Sequence, residues 1–236
     1  KRVGDDASSL VKEVAIIKTE IQELEELERD LNLQLSSFLS KLPNILASDV
    51  PEGATESDNV EIRSFGLQKS FNFRAKDHVE LGEGLDGLDF SSAAKISGSR
   101  FVFLKASLAR LERALSNFML DHQVKKFGYT EISPPLLVSD KALYGTGQLP
   151  KFSDQQFKTT DDYWLIPTSE VPLTNMVSDS ILDEAELPLR YTAYTPCFRS
   201  EAGASGQDTK GMIRVHQFGK VEMVSIAHPD KSDEEH

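Results

Sequence analysis

Cysteine, tryptophan and histidine are scarce in this sequence of 236 residues: one Cys (Cys197), one Trp (Trp164) and five His. A lone cysteine closes no intrachain disulfide, which excludes a disulfide-stapled scaffold and fits a reducing compartment. The natural reading of Cys197, beside Pro196, is a small buried strand residue rather than a reactive thiol. The histidines show no metal-ligand spacing and have no cysteine partners, so a structural zinc site is excluded. No apolar run approaches the ~18 residues needed to cross a bilayer, and the N-terminus lacks a charged-then-apolar leader. The sequence therefore reads as soluble and cytoplasmic.

Basic charge is also in short supply. Lys and Arg number 26 against 38 Asp and Glu, a net charge of −12. The deficit is spread evenly, at −3 over residues 1–42, −5 over 43–98 and −4 over 99–236. Phosphate contact is mainly electrostatic, so broad sequence-independent binding of nucleic acid is excluded. Any RNA contact must rest on small patches such as Lys1, Arg2 and Lys12, or Lys210 and Arg214.

What is present begins with a heptad. Leu10, Ile17, Leu24, Leu31 and Phe38 fall seven apart, interleaved with Val14, Ile21, Leu35 and Leu42, and Glu28 is the one polar seam position. This predicts a helix over 8–42, about 50 Å long at ~1.5 Å per residue. Its apolar stripe calls for a partner of similar length, which no later segment supplies. Residues 43–98 follow, with Pro43, Pro51 and Gly53 ending the helix; the glycines at 82, 84 and 87 mark turns, and the segment reads as turn-rich with short strands and one helical turn. Neither GxxxxGK[ST] nor GxGxxG occurs there.

A second helix is predicted from about Arg100 to Lys126, on the spacing of Leu104, Leu108, Leu111, Leu115, Phe118 and Met119. Gly128 stops it. A short strand over 129–133 follows, ended by Pro134 and Pro135. Further on, residues 166–171 (IPTSEV) carry Thr168, Ser169 and Glu170. A hydroxyl and a carboxylate suit an ammonium ligand, while the same residues also make a common helix start. Residues 198–222 (FRSEAGASGQDTKGMIRVHQFGKVE) read as two strands joined by a Gly-rich loop. At strand spacing Arg199 and Glu201 share one face, and so do Phe218 and Glu222. That set offers a fixed cation, two carboxylates and an aromatic platform, as a nucleotide site requires; a solvated polar hairpin has the same composition.

The order Phe-Arg-x-Glu, loop, then Arg214, Phe218 and Glu222 resembles the second signature motif of class II aminoacyl-tRNA synthetases, and the wording PCFRSEAG with RVHQF is similar to the seryl-tRNA synthetases. Residues 128–137 (GYTEISPPLL), from Gly128 to Leu137, fit the first motif of the class. YGTGQLPKF, LPLRY, HVELGE and DFSSAAKISGSRF extend the likeness along nearly the whole chain. The resemblance implies an α+β fold, a mainly antiparallel sheet flanked by helices and preceded by a long coiled-coil arm helix. It divides the chain into a partial tRNA-binding arm (1–45), a connecting segment (46–98) and the first part of the catalytic domain (99–236).

It further implies ATP-dependent activation of L-serine to seryl-adenylate and transfer to tRNA(Ser). The implied catalytic cation is Arg199; ATP would meet Arg199, Ser200, Glu201, Val215 and Phe218, and L-serine would meet Thr168, Ser169, Glu170 and Glu222. Lys1, Arg2, Lys12 and Lys210 are the implied tRNA contacts. A homodimer through residues 128–137 is expected, as is Mg²⁺ with ligands mainly outside these residues. The family's outgoing arm helix and third motif are not found within the 236 residues, so the expectation is that this stretch alone does not turn over. A generic coiled-coil dimer remains open for residues 8–42. Two other readings stand beside the ligase: a relative that loads an amino acid onto a carrier protein, and a non-catalytic binding protein using the coiled coil.

Overall fold

The computed structural model describes residues 8–202, 206 and 210–236. The chain divides into two compact units, Lys1–Gly66 and Leu67–His236.

In the first unit, α1 runs over Ser8–Leu39. It ends three residues before the expected Leu42. Pro43 disfavours helical backbone at the residue preceding it, and the last turn tightens into i→i+3 bonds, with Lys41 N–H donating to Phe38 O at 3.2 Å and Leu42 N–H to Leu39 O at 3.1 Å. No residue of α1 is buried. Its seam residues Leu10, Val14, Ile17, Ile21, Leu24, Leu31, Leu35 and Phe38 are all exposed.

The second unit opens with α2 (His78–Gly84), β1 (Leu88–Asp89), α3 (Phe90–Ser97) and β2 (Phe103–Leu104). Gly82 and Gly84, expected to mark turns, lie within α2. Asp77 caps α2 by accepting from Glu80 N–H at 2.9 Å, and Glu80 answers by accepting from Asp77 N–H at 3.2 Å. This is a reciprocal capping box, whose D-x-x-E signature is present in the sequence. Asp89 caps α3 without the reciprocal bond, accepting from Ser92 N–H at 2.9 Å.

The next helix, α4, spans Ala106–Phe127 and not Arg100 onward. Phe103 and Leu104 are drawn into an antiparallel pair with Asp89 and Leu88, and Arg100 holds φ 63°, outside the helical region. Leu104, assigned by spacing to the helix seam, is therefore a strand residue. Gly128 does terminate α4, in left-handed backbone at φ 69°.

Beyond it come β3 (Thr130–Glu131), β4 (Leu137–Val138), α5 (Asp140–Gly145), β5 (Trp164–Leu165), α6 (Glu170–Asn175), β6 (Leu189–Phe198), β7 (Gln217–Ile226) and α7 (Ser232–Glu235). The main sheet has the order β3-β6-β7. β6 and β7 pair antiparallel over their whole length, from Leu189 with Ile226 to Phe198 with Gln217, and β3 adds to β6 in parallel. A core cluster of Val138, Leu143, Trp164, Ile166 and Val171 packs where β4, β5, α5 and α6 meet. It fixes the loop that carries Thr168 beside the open end of the β6–β7 ribbon.

Candidate functional site

The β6–β7 ribbon supplies the floor. Its register sets Ala193 against Glu222, Thr195 against Lys220 and Cys197 against Phe218, so these six side chains share one face. The β6 members are small and buried, which leaves Phe218, Lys220 and Glu222 to shape that face. Burial raises the pKa of the Cys197 thiol above its ordinary value, chiefly by desolvating the thiolate. Cys197 is thus the small buried strand residue that its sequence context suggests.

Arg199 sits one step beyond β6. Its N–H donates to His216 O at 2.9 Å, and its guanidinium lies 5.1 Å over the Phe218 ring, within cation–π range. Its Nε donates to Pro167 O at 3.3 Å. The expected strand alternation does not reach Glu201, because β6 stops at Phe198 and Glu201 turns into left-handed backbone at φ 53°. A turn, not a pleat, therefore brings Glu201 to the same cleft as Arg199. There it accepts from Arg214 Nη1 at 2.7 Å.

The facing wall is the loop at 166–170. Phe198 N–H donates to Ile166 O at 2.9 Å, tying the loop to the end of β6. Thr168 Oγ1 donates to Glu222 Oε2, across 54 residues of sequence. Lys220 Nζ donates to the same Thr168 oxygen at 2.9 Å and pairs with Glu222 Oε2 at 2.6 Å. Thr168 Oγ1 also accepts from Glu170 N–H at 3.3 Å, at the start of α6. One threonine thus serves both the helix start and the polar cluster. Ser169 is wholly buried, and its Oγ has no hydrogen-bond partner among the described residues.

Thr168, Glu170, Arg199, Glu201, Arg214 and Lys220 together line a cleft of about 330 Å³, within the ~300–1,000 Å³ usual for small-molecule sites. Phe218 adjoins it through Arg199, and Glu222 through Thr168. Val215 is buried just before β7. Ser200 turns away, its Oγ donating to Asp154 O at 2.5 Å. Of the expected RNA contacts, Lys12 lies exposed on α1, Lys210 pairs with Asp77, and Lys1 and Arg2 lie outside the described residues. Arg214, which the sequence suggested for an RNA patch, points to Glu201 instead. Lys220 was missed, although it lies two residues from both Phe218 and Glu222 and the same alternation selects it.

Among the described residues no three His, Cys, Asp or Glu groups converge on a metal position. The carboxylates of Glu201 and Glu222 each already face a cation. The described residues therefore do not fit a Mg²⁺ site.

The chain is 59% identical over its full length to a serine–tRNA ligase of Paramagnetospirillum magneticum and covers 56% of that protein. It is 58% identical to the serine–tRNA ligase of Rhodospirillum centenum, covering all of this chain and 55% of the relative. Over its whole length this chain is similar to seryl-tRNA synthetases. It spans about half the length of the curated relatives it matches. Residues 151–236 match the family profile described as tRNA synthetase class II core domain (G, H, P, S and T). The seryl-tRNA synthetase of Pyrococcus horikoshii, solved in complex with ATP, superposes with a TM-score of 0.91 at 38% identity, over 98% of this chain and 56% of that one. A cytoplasmic serine–tRNA ligase of Naegleria fowleri in complex with AMP gives 0.83 at 29% identity, over 94% of this chain and 53% of its own. The α+β class II architecture expected from the motifs is the fold observed. No helix among the described residues is long and apolar enough to cross a membrane.

Proposed function

We propose that the whole protein is a serine–tRNA ligase and that this chain carries the wall of its active site where serine is activated with ATP. The observation that carries the reading is the cleft in which Arg199, stacked on Phe218, opens beside the Thr168–Lys220–Glu222 cluster. Nucleotide-facing and amino-acid-facing chemistry lie next to each other there, as condensation of the two substrates demands. The relatives named serine–tRNA ligase match the full chain, α1 included, which favours tRNA over a carrier protein as acceptor.

A carboxylate oxygen of serine attacks the α-phosphorus of ATP, the bond to the bridging oxygen breaks, and pyrophosphate leaves. Negative charge gathers on the α-phosphate oxygens as this happens. Arg199 meets that charge, because its planar guanidinium offers parallel N–H donors and stays charged throughout. Phe218 lies against the adenine face, the Val215 backbone meets the adenine edge, and Glu201 accepts from the adenine amino group. The serine ammonium is held by Thr168 and Glu170, with Ser169 supplying a buried hydroxyl. Glu222 accepts from the serine hydroxyl, and Lys220 keeps its carboxylate in place. An alanine in that position leaves Glu222 without its hydroxyl partner, a desolvation penalty of about 1–3 kcal/mol that discriminates against the smaller analogue. The hydroxyl of the terminal adenosine of tRNA(Ser) then attacks the activated carbonyl, and AMP departs.

A homodimer belongs to this proposal. It is supported by the exposed Leu111, Leu115, Phe118 and Met119 on α4, next to residues 128–137. The α1 stripe and Lys12 fit a tRNA-gripping arm, and a cytoplasmic location follows from the activity. Serine-dependent exchange of pyrophosphate into ATP by the whole protein tests the reading. Exchange with serine, lost by about two to three orders of magnitude in Arg199→Ala, is expected. Exchange that depends on a different amino acid, or none at all, overturns it.

A further inference from the structure

The connecting segment does more than join two parts of the chain. At the start of α2, Asp77 and His78 reach across the sequence to the returning leg of the hairpin loop. Lys210 Nζ donates to the Asp77 carboxylate, 133 residues away. Met212 N–H donates to His78 Nε2 at 3.1 Å. Between them Gly211 adopts φ 75°, and a Cβ added there would lie 2.1 Å from His78 Nε2 and 2.7 Å from Val79 Cγ2. No side chain fits, so backbone and imidazole meet at closest approach. Two residues beyond Met212 the chain delivers Arg214 to Glu201 at 2.7 Å, then Val215 to its buried position.

We infer that His78, assisted by Asp77, is a positioning residue for the nucleotide end of the cleft, fixing the return leg at 210–212 so that Arg214 and Val215 enter in one register. This rests on the ATP-binding role proposed above for that cleft. Its physical basis is that a backbone N–H accepted by a ring nitrogen fixes both direction and depth of the leg. The Lys210–Asp77 pair alone would not: both side chains are substantially exposed, and exposed ion pairs contribute little. The α2 end is itself well fixed, since Asp77 and Glu80 cap reciprocally and Arg74 holds Glu80 at 2.9 Å. The anchor lies outside the ligand-facing residues, so its loss acts on ATP and spares serine.

The experiment uses the whole protein with His78→Ala, His78→Gln, Asp77→Asn and Gly211→Ala. Gln places Oε1 where Nε2 stood and restores an acceptor; Asn keeps the α2 cap but loses the ion pair. Expected are faster amide hydrogen exchange at Met212 and a KM for ATP raised about tenfold in His78→Ala and Gly211→Ala, as a misplaced binding group produces. The KM for serine should stay within about twofold, with His78→Gln restoring both readouts. Asp77→Asn should show the same pattern more weakly. Unchanged Met212 exchange and ATP KM in His78→Ala overturn the inference. So does an equal rise in both KM values, which would mark a general loss of structure. If the wild-type protein shows no serine-dependent exchange, the functional reading fails instead, and Met212 exchange alone judges the anchor: release by Ala and restoration by Gln sustain it, and their absence sinks it.

Discussion

Glu222 faces two partners at once, the Thr168 hydroxyl and the Lys220 ammonium, and its substitution separates their roles. Glu222→Ala should raise the KM for serine and narrow the preference for serine over alanine by about 10–100-fold, the range of a buried acceptor left without its donor. Competitive pyrophosphate exchange with the two amino acids measures it. Lys220→Met should weaken serine binding while sparing the KM for ATP, because Lys220 contacts Thr168 and Glu222 but not Phe218's partner Arg199. Asp77 titrates in a way that can be followed separately. The Glu80 N–H and then Lys210 lower its carboxyl pKa to about 2, from an ordinary value of 3.8. A depressed folded-state pKa means that its contribution is complete above about pH 4 and is lost as pH falls through about 2. The stability difference between wild type and Asp77→Asn in chemical denaturation should therefore shrink over that window. Most of these site residues were legible one at a time, because charged and aromatic side chains at even spacing mark a strand face. Their meeting was not legible: Thr168 and Glu222 are joined by tertiary folding of the 166–170 loop onto the ribbon, which no local pattern encodes.

At the scale of elements, periodicity gave α1 and most of α4, and glycine chemistry gave the end of α4. Gly128→Ala forces a Cβ into left-handed backbone at φ 69° and should cost about 1–2 kcal/mol of stability. Gly82→Ala should cost a similar amount, about 1–3 kcal/mol, for a different reason: the new Cβ would lie 2.2 Å from Leu88 Cδ1. Thermal or urea unfolding of each variant checks both. The elements that escaped the sequence reading are short. α2 and α3 are too brief to display an apolar period, and only their aspartate caps announce them. β2 took Phe103 and Leu104 from the predicted helix because β1 offered those residues backbone partners, a preference visible only once the chain has folded back.

The whole chain is acidic, yet the cleft sets Arg199, Arg214 and Lys220 against Glu170, Glu201 and the adjoining Glu222, with Arg214 and Lys220 each held by a carboxylate. Local placement, not net charge, therefore decides what binds there. The homodimer proposed above would cover the apolar residues left exposed on α4: Leu115→Glu combined with Phe118→Glu should convert a dimer to a monomer in light scattering of the whole protein, and a wild-type monomer would contradict the proposal. The scarcity of cysteine and tryptophan acquires a practical meaning once both are placed. Cys197 is buried on the same ribbon face as Phe218, Lys220 and Glu222, and Trp164 lies in the core cluster behind the Thr168 loop, so the unit from Leu67 to His236 carries one intrinsic probe at each wall of the cleft. Alkylation of the thiol can proceed only when the contacts that bury that face open, while indole fluorescence follows the core that supports the opposite side. Measured together, the two signals tell whether the walls come apart in one cooperative event or one before the other, without any label being introduced.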